Sequence, residues 1–389
     1  MPDQKSRRAR PADRKRQLID HAAALFSERG FAQVSMADIA TAAGVTAPSL
    51  YRHFDDKQAL LMSAVMAGVD DLEACTARAL ENGHDAAELI DALSVLGQKS
   101  PRSTSLWRAS SYYLTPQQNK QVVMRTRDIL HRWAQAIRAE RPDLSDRSSV
   151  QLAWAMLSIS GSLADRRSKV SPLKTREAFR TLVTRLIDLD PTRAPSLAAT
   201  PPPAGSRPTR RDEILDAAAE LFDKSGYTTV GVDDIGAAVG ISGPSVYRHF
   251  SSKLAILVGI GYRAAARLEA GVMAAYATTA DSSKLLALLV DSYVGIITST
   301  PDLSVSFRSS AVVAGQPDAA ELLDVQRRYV ARWIDLLTDI EPDLPAAEAA
   351  ISVHAALAIV NDAVQIRRGS SRPDFDAEMA YLMKGVLGI

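Results

Sequence analysis

The chain has 389 residues with 46 Lys+Arg against 45 Asp+Glu, so its overall charge singles out neither nucleic acid nor an anionic surface as partner. Apolar residues make up 47% and charged residues 23%, the balance of a globular protein, and the length exceeds one ordinary domain. A single cysteine, Cys75, excludes a disulfide framework and any multi-cysteine metal site, which fits a reducing cytoplasm. The sequence contains no unbroken apolar run of membrane-spanning length. The basic start "MPDQKSRRARPADRKRQ" is not followed by an apolar stretch, so it does not read as a secretory signal.

Charge is uneven where the total is balanced. Residues 1–16 hold seven basic side chains against two acidic ones. Arg7, Arg8 and Arg10 lie in this arm and are candidates for the minor groove of a duplex, with a solvated tail as the plain alternative. A helix follows, in which Leu18, Ala22, Leu25 and Phe26 form an amphipathic stripe. Ser35 precedes "MADIATAAG" with Asp38 three residues on, a capping-box pattern, and Gly44 ends that short helix. Thr46 is placed to cap a further short helix with Pro48 in its first turn. The pair reads as a helix-turn-helix with Ile39, Val45, Leu50 and Phe54 in its core.

The second helix of that pair contains "TAPSLYRHF" at Thr46–Phe54, and the chain repeats it as "SGPSVYRHF" at Ser242–Phe250. With a shift of 196, Arg16–Phe31 lies over Asp212–Tyr227 and Met36–Val45 over Val232–Ile241. The shift later becomes 200, with Arg132–Leu144 over Arg332–Leu344, so the whole unit is duplicated and its front has drifted least. Between the copies, Asp190–Arg211 holds six prolines and reads as an extended linker, able to span about 60 Å. No segment alternates in twos, so the expected class is all-α, as two tandem units. The expected divisions are an arm at 1–11, heads at 12–57 and 208–253, bodies at 58–189 and 254–389, and a linker at 190–207.

On the helical wheel Leu50 and Phe54 share the buried side, while Pro48, Ser49 and Arg52 point outward with Ala47, Tyr51 and His53 on the flanks. A short polar helix of this kind can lead into a major groove with its N-terminus. The base-reading candidates are therefore Ala47, Pro48, Ser49 and Arg52, with Gly243, Pro244, Ser245 and Arg248 in the second copy. Phosphate candidates are Ser35, Thr46, Tyr51, His53 and Lys57, with Ser242, Tyr247, His249 and Lys253 opposite them. One "YRHF" alone carries little weight; two in the same register carry much more.

These residues resemble a known family. The "LF…GF" end of the first helix, the "DIA…AGV" second helix and the "YRHF…K" third helix are those of TetR-type transcriptional regulators, over about fifty residues per copy. The layout is similar to single-chain double-TetR bacterial regulators, such as those of mammalian-cell-entry lipid-import operons. The resemblance implies double-stranded DNA as partner, an intramolecular pseudo-dimer in a bacterial, nucleoid-associated protein, and an apolar effector between the body helices: a lipid, sterol or acyl-CoA. A homodimer of double units is the other assembly it allows. Its four-helix interface would use Phe179, Leu182, Val183, Leu186 and Ile187 with Phe375, Met379, Leu382, Met383 and Val386, beside helices near 150–165 and 346–366. The same stripes could instead only close each unit's own core.

Effector candidates are the larger polar and aromatic residues of the bodies. They are Trp107, Arg108, Tyr112, Trp133 and Trp154 in the first, and Phe307, Arg308, Tyr329, Trp333, His354 and Asn361 in the second. An enzyme is disfavoured, because HExxH, GxSxG, P-loop and dinucleotide motifs are all absent, and no metal or cofactor is expected. The rival binding function is an architectural DNA-binding protein that answers to no effector.

Overall fold

The computed structural model describes residues 11–31, 33–81, 83, 85–100, 106, 113–164, 170–197, 208–366 and 372–389. Among them the only regular elements are helices. The first unit contains α1 (Pro11–Arg29), α2 (Met36–Ala42), α3 (Ala47–Tyr51), α4 (Lys57–Ala79), α5 (Ala86–Lys99), α6 (Pro116–Glu140), α7 (Asp146–Ala164) and α8 (Pro172–Ile187). The second contains α9 (Arg210–Ser225), α10 (Val232–Ala238), α11 (Gly243–Val246), α12 (Lys253–Thr278) and α13 (Ser282–Ser299). It continues through the short α14 (Asp302–Arg308) and α15 (Ser310–Val313) to α16 (Ala320–Ile340), α17 (Ala346–Ile366) and α18 (Phe375–Leu387).

Each head is three helices closed on a fourth. In the first, Leu18, Ala22 and Phe26 of α1 bury against Ile39, Leu50 and Phe54. Ile214, Ala218, Phe222, Ile235, Val246 and Phe250 repeat that core in the second. Local signals set the ends. Ser35 and Asp38 form the reciprocal capping box, with Ser35 N donating to Asp38 Oδ2 at 2.8 Å and Asp38 N to Ser35 Oγ at 3.1 Å. Gly231 has no side chain to return the bond, so only Asp234 caps there, accepting from the Gly231 N–H at 2.7 Å. The turn between the two short helices needs a left-handed residue, supplied by Gly44 at φ +63° and Gly240 at φ +70°.

The bodies meet along α7, α8, α17 and α18, and the first unit's core is continuous across this contact with the second body's. Phe179, Leu182, Val183, Leu186 and Ile187 are buried, as are Met379, Leu382, Met383 and Val386. The two apolar stripes therefore face each other as well as their own cores. α17 supplies the segment Ala346–Gln365, long and apolar enough to cross a membrane by length and composition, but it lies mostly buried within this contact.

Candidate nucleic-acid interface

The recognition helices are short: five residues in α3 and four in α11. Each is held from behind by a buried pair, Leu50 with Phe54 and Val246 with Phe250. That anchoring turns the intervening residues outward. Tyr51 and Tyr247 are 52% and 54% exposed, an unusual position for large aromatic side chains and the same one in both copies. Arg52 and Arg248 are exposed, and neither side chain has an ion-pair or hydrogen-bond partner among the described residues. Pro48, Pro244, Thr46 and Ser242 are exposed, while Ser49, Ser245, Ala47, His53 and His249 are half-buried at the edges of the same surface.

Several sequence expectations change here. Thr46 occupies the N-cap position with extended backbone, but its hydroxyl makes no capping bond, so the hydroxyl is left on the surface. Ser242 also makes no cap; its Oγ lies 3.0 Å from Ser245 Oγ. Ser35 spends its hydroxyl on Asp38, whose carboxyl is thereby held below the usual range.

Lys57 and Lys253, two of the phosphate candidates, have their ammonium groups engaged within the heads. Lys57 Nζ donates to the carbonyls of Phe31 and Val34, both at 2.9 Å, and sits 4.3 Å from the Phe31 ring centre. Lys253 Nζ donates to Val230 O at 2.7 Å and lies 4.4 Å from the Tyr227 ring centre. Burial pushes both ammonium groups below their ordinary pKa. They close the loop between the first two helices of each head, and the loop carbonyls are what hold them.

Gly243, a base-reading candidate, is buried, and a Cβ there would come within 1.9 Å of Asp233 Oδ1. In the first head the equivalent positions are Ala37 and Ala47. The second head thus sets a carboxylate, exposed on α10, against the start of its recognition helix, which the first head lacks. Arg211 folds back as well, its guanidinium 4.0 Å from the Phe250 ring centre and Nη1 donating to His249 O at 2.6 Å.

Comparison with known proteins agrees with this geometry. The family model described as "Bacterial regulatory proteins, tetR family" matches twice, at residues 18–64 and 214–260, which are the two heads. The transcriptional activator FasR of Mycolicibacterium smegmatis is 30% identical over 167 residues, 43% of this chain and 72% of the relative. The chain belongs to the TetR family. The repressor KstR2 of Rhodococcus jostii is 38% identical over 80 residues, 21% of this TetR-family chain and 39% of its own. The solved structure of the ketosteroid transcriptional regulator KstR2 of Mycobacterium tuberculosis covers 48% of this chain and 96% of its own, at 24% identity and a TM-score of 0.39.

The bodies of this TetR-family chain sort the remaining candidates. Arg7, Arg8, Arg10, Trp107, Arg108 and Tyr112 lie outside the described residues. Trp133 is fully buried with its indole N–H on Thr76 Oγ1 at 2.8 Å, and belongs to the core of the first body. Trp154 lines a cavity of about 250 Å³ where the two units meet. Arg308 pairs with Asp223 at the end of α9 and ties head to body rather than facing a ligand. A larger cavity of about 640 Å³ opens in the second body between α12, α14, α16 and α17, with Ser162 of the first unit at its wall. Phe307, Tyr329, His354 and Asn361 line it; Trp333 is fully buried and does not.

That cavity's polar groups were partly missed in the sequence. Tyr293 donates its hydroxyl to Asn361 Oδ1 at 2.8 Å and stacks on Tyr329 with ring centres 6.4 Å apart. Tyr329's hydroxyl is buried near the Trp333 indole N–H, which eases its pKa slightly, but the two fall short of hydrogen-bond geometry and both polar atoms are unpaired. Burial drives both phenols well above the ordinary tyrosine pKa, so both are neutral hydrogen-bonding groups. Tyr293 had no local signal: its partners lie tens of residues away and meet it only in the folded bundle.

Proposed function

We propose that this chain is a single-chain transcriptional repressor whose two heads read adjacent half-sites of one imperfectly palindromic operator. The observation that carries this is the matched pair of unpartnered, outward-facing arginines, Arg52 and Arg248, each beside an exposed tyrosine. An arginine in that position can take a guanine edge with two hydrogen bonds, while Tyr51, Tyr247, Thr46, Ser242, His53 and His249 meet phosphate. Half-site centres one helical turn apart, roughly 34–36 Å, suit two such heads. The half-sites are alike but not identical, because the starts of the two helices differ: Thr46 and Ala47 stand where the second head has Ser242 and Gly243. The relatives' printed names include an activator and a repressor. Repression is the outcome proposed here, since a protein seated on an operator blocks access to it without any further partner.

The effector reading rests on the cavity of about 640 Å³, whose wall is mostly apolar by area with a polar set that includes Glu269, Gln326, His354, Asn361 and Asp362. A lipid, sterol or acyl-CoA fits that character. Control of a lipid-import operon of the mammalian-cell-entry type is the finer form of this proposal. In the effector reading, occupancy moves α12 and α14, both of which hold the second head: Arg263 joins Asp216 at 2.6 Å and Asp302 at 2.7 Å. Footprinting over genomic fragments, with candidate lipids added, tests both parts. Protection of two half-sites that a lipid abolishes supports the proposal; protection that no apolar ligand changes favours the architectural protein instead.

A further inference from the structure

The duplicated bodies allow each contact between units to be compared with its mirror. A shift of 200 carries Arg132–Leu144 onto Arg332–Leu344 and the buried Leu182, Val183 and Leu186 onto Leu382, Met383 and Val386. In a true homodimer every pair across the interface would occur twice. Here the ion pairs occur once. Arg147 of α7 pairs with Glu378 of α18, a carboxylate only 4% exposed, which also accepts from Gln151 Nε2 at 3.0 Å. Their mirror positions are Ala347, Ile351 and Ala178. Arg185 Nη2 lies 3.0 Å from Glu341 Oε1, and the mirror positions are Gly385 and Arg141. Lys174 approaches Glu348 at 3.9 Å, with Asp374 and Ser148 as mirror positions.

All three cations belong to the first unit and all three anions to the second. We infer that the face between the units is directional: the first unit's surface is built to pair with the second unit's and to reject a second copy of itself. A first–first pair would set Arg185 against Arg141 and leave Arg147 opposite Ala178. A second–second pair would set Glu348 against Asp374 and leave the buried Glu378 facing Ala347 and Ile351, with only Arg372 of its own unit. Losing one partner of a buried charge is the costly case. Shape adds to charge. A Cβ on Gly385 would come within 2.4 Å of Leu189, so the second unit keeps that position empty for a first-unit side chain. The mirror position is filled by Arg185, whose guanidinium lies against Gly388, where a Cβ would come within 3.0 Å of it. Two copies of either half cannot reproduce this alternation.

The inference rests on the two units acting as one DNA-reading pair, but its test involves no DNA, so it can fail while that reading stands. The full chain receives a protease site between residues 198 and 207, is folded, and is cut afterwards so that both halves remain present. Unlabelled and isotope-labelled cut samples are mixed, taken through denaturant, refolded and weighed by native mass spectrometry. Expected is a first half with a second half in every isotopic combination, and like-with-like pairs under roughly a tenth of the total. A statistical mixture, or halves that do not pair, overturns the inference. A second cut sample carrying Arg185→Glu faces Glu341 with a like charge and offers Arg141 an opposite one. Its first–first pairs should rise at least about tenfold, a shift of ~1.4 kcal/mol. An unchanged proportion would assign selectivity to apolar packing alone and contradict the role given to charge.

Discussion

Arg52 and Arg248 are long side chains kept free of internal partners on surfaces where most other cations of the heads are engaged. Replacing either with alanine should weaken operator binding by about 1–3 kcal/mol if the guanidinium reads a base, with the loss confined to the half-site under that head. If it grips phosphate instead, the loss should be similar on all sequences and the salt slope should fall by about one. Gel shifts at several salt concentrations, on operators with one half-site scrambled, separate the two. Lys57 gives the opposite expectation. Lys57→Met removes the donor to two loop carbonyls, so it should cost about 1–3 kcal/mol of stability in denaturant titrations, with little change in the salt slope of DNA binding. Gly243→Ala should make the exposed Asp233 carboxylate swing away from the new methyl group, at a cost of about 1 kcal/mol in denaturant titrations. Adding Asp233→Ala recreates the first head's alanine pair and should recover that stability, and DNA retention on heparin columns should then rise as one anion is lost.

At the scale of elements, the heads are fastened to the bodies by ion pairs of opposite polarity in the two units. Arg16 on α1 reaches Asp71 on α4 at 2.7 Å, whereas Asp216 on α9 accepts from Arg263 on α12 at 2.6 Å. Asp302 is the pivot of the second arrangement, 1% exposed and shared by Arg263 and Arg267. Asp302→Ala leaves two guanidinium groups facing an empty site and should destabilise the second unit by about 3–5 kcal/mol, read as an early unfolding step in hydrogen exchange over α12 and α14. The cap carboxylates Asp38 and Asp212 have pKa values lowered by hydrogen bonds from Ser35 and Thr209. A lowered carboxylate contributes stability above its unfolded pKa, about 3.9, and loses it as pH falls through the folded value. Helicity of the heads should therefore decline below about pH 4, and a Ser35→Ala head should decline at a higher pH than the native one. Circular dichroism across an acid titration of both proteins checks this.

Across the whole molecule, what was legible in the sequence is what is encoded locally. Capping residues, the left-handed glycines and the Leu50–Phe54 spacing lie within a few residues of each other, and they define the heads. The interface stripes were legible through their period, though the period alone did not say what they faced. What was not legible shares one physical origin. Lys57 and Lys253 find their carbonyl partners in a loop 23–26 residues earlier. Arg308 finds Asp223 at a separation of 85 residues, and Arg147 finds Glu378 at 231. No local pattern announces such partners, and the same holds for the Tyr293–Tyr329 pair inside the cavity.

The claim beneath all of this is that two groove-reading heads on one polypeptide act together on one stretch of duplex. Its most direct test is the mass of the protein–operator complex, measured by native mass spectrometry on a footprinted duplex. A single chain should bind with two half-sites protected, and only one should stay protected when Arg52 or Arg248 is replaced. Two chains on that duplex, each engaged through one head with the other head dispensable, would contradict it.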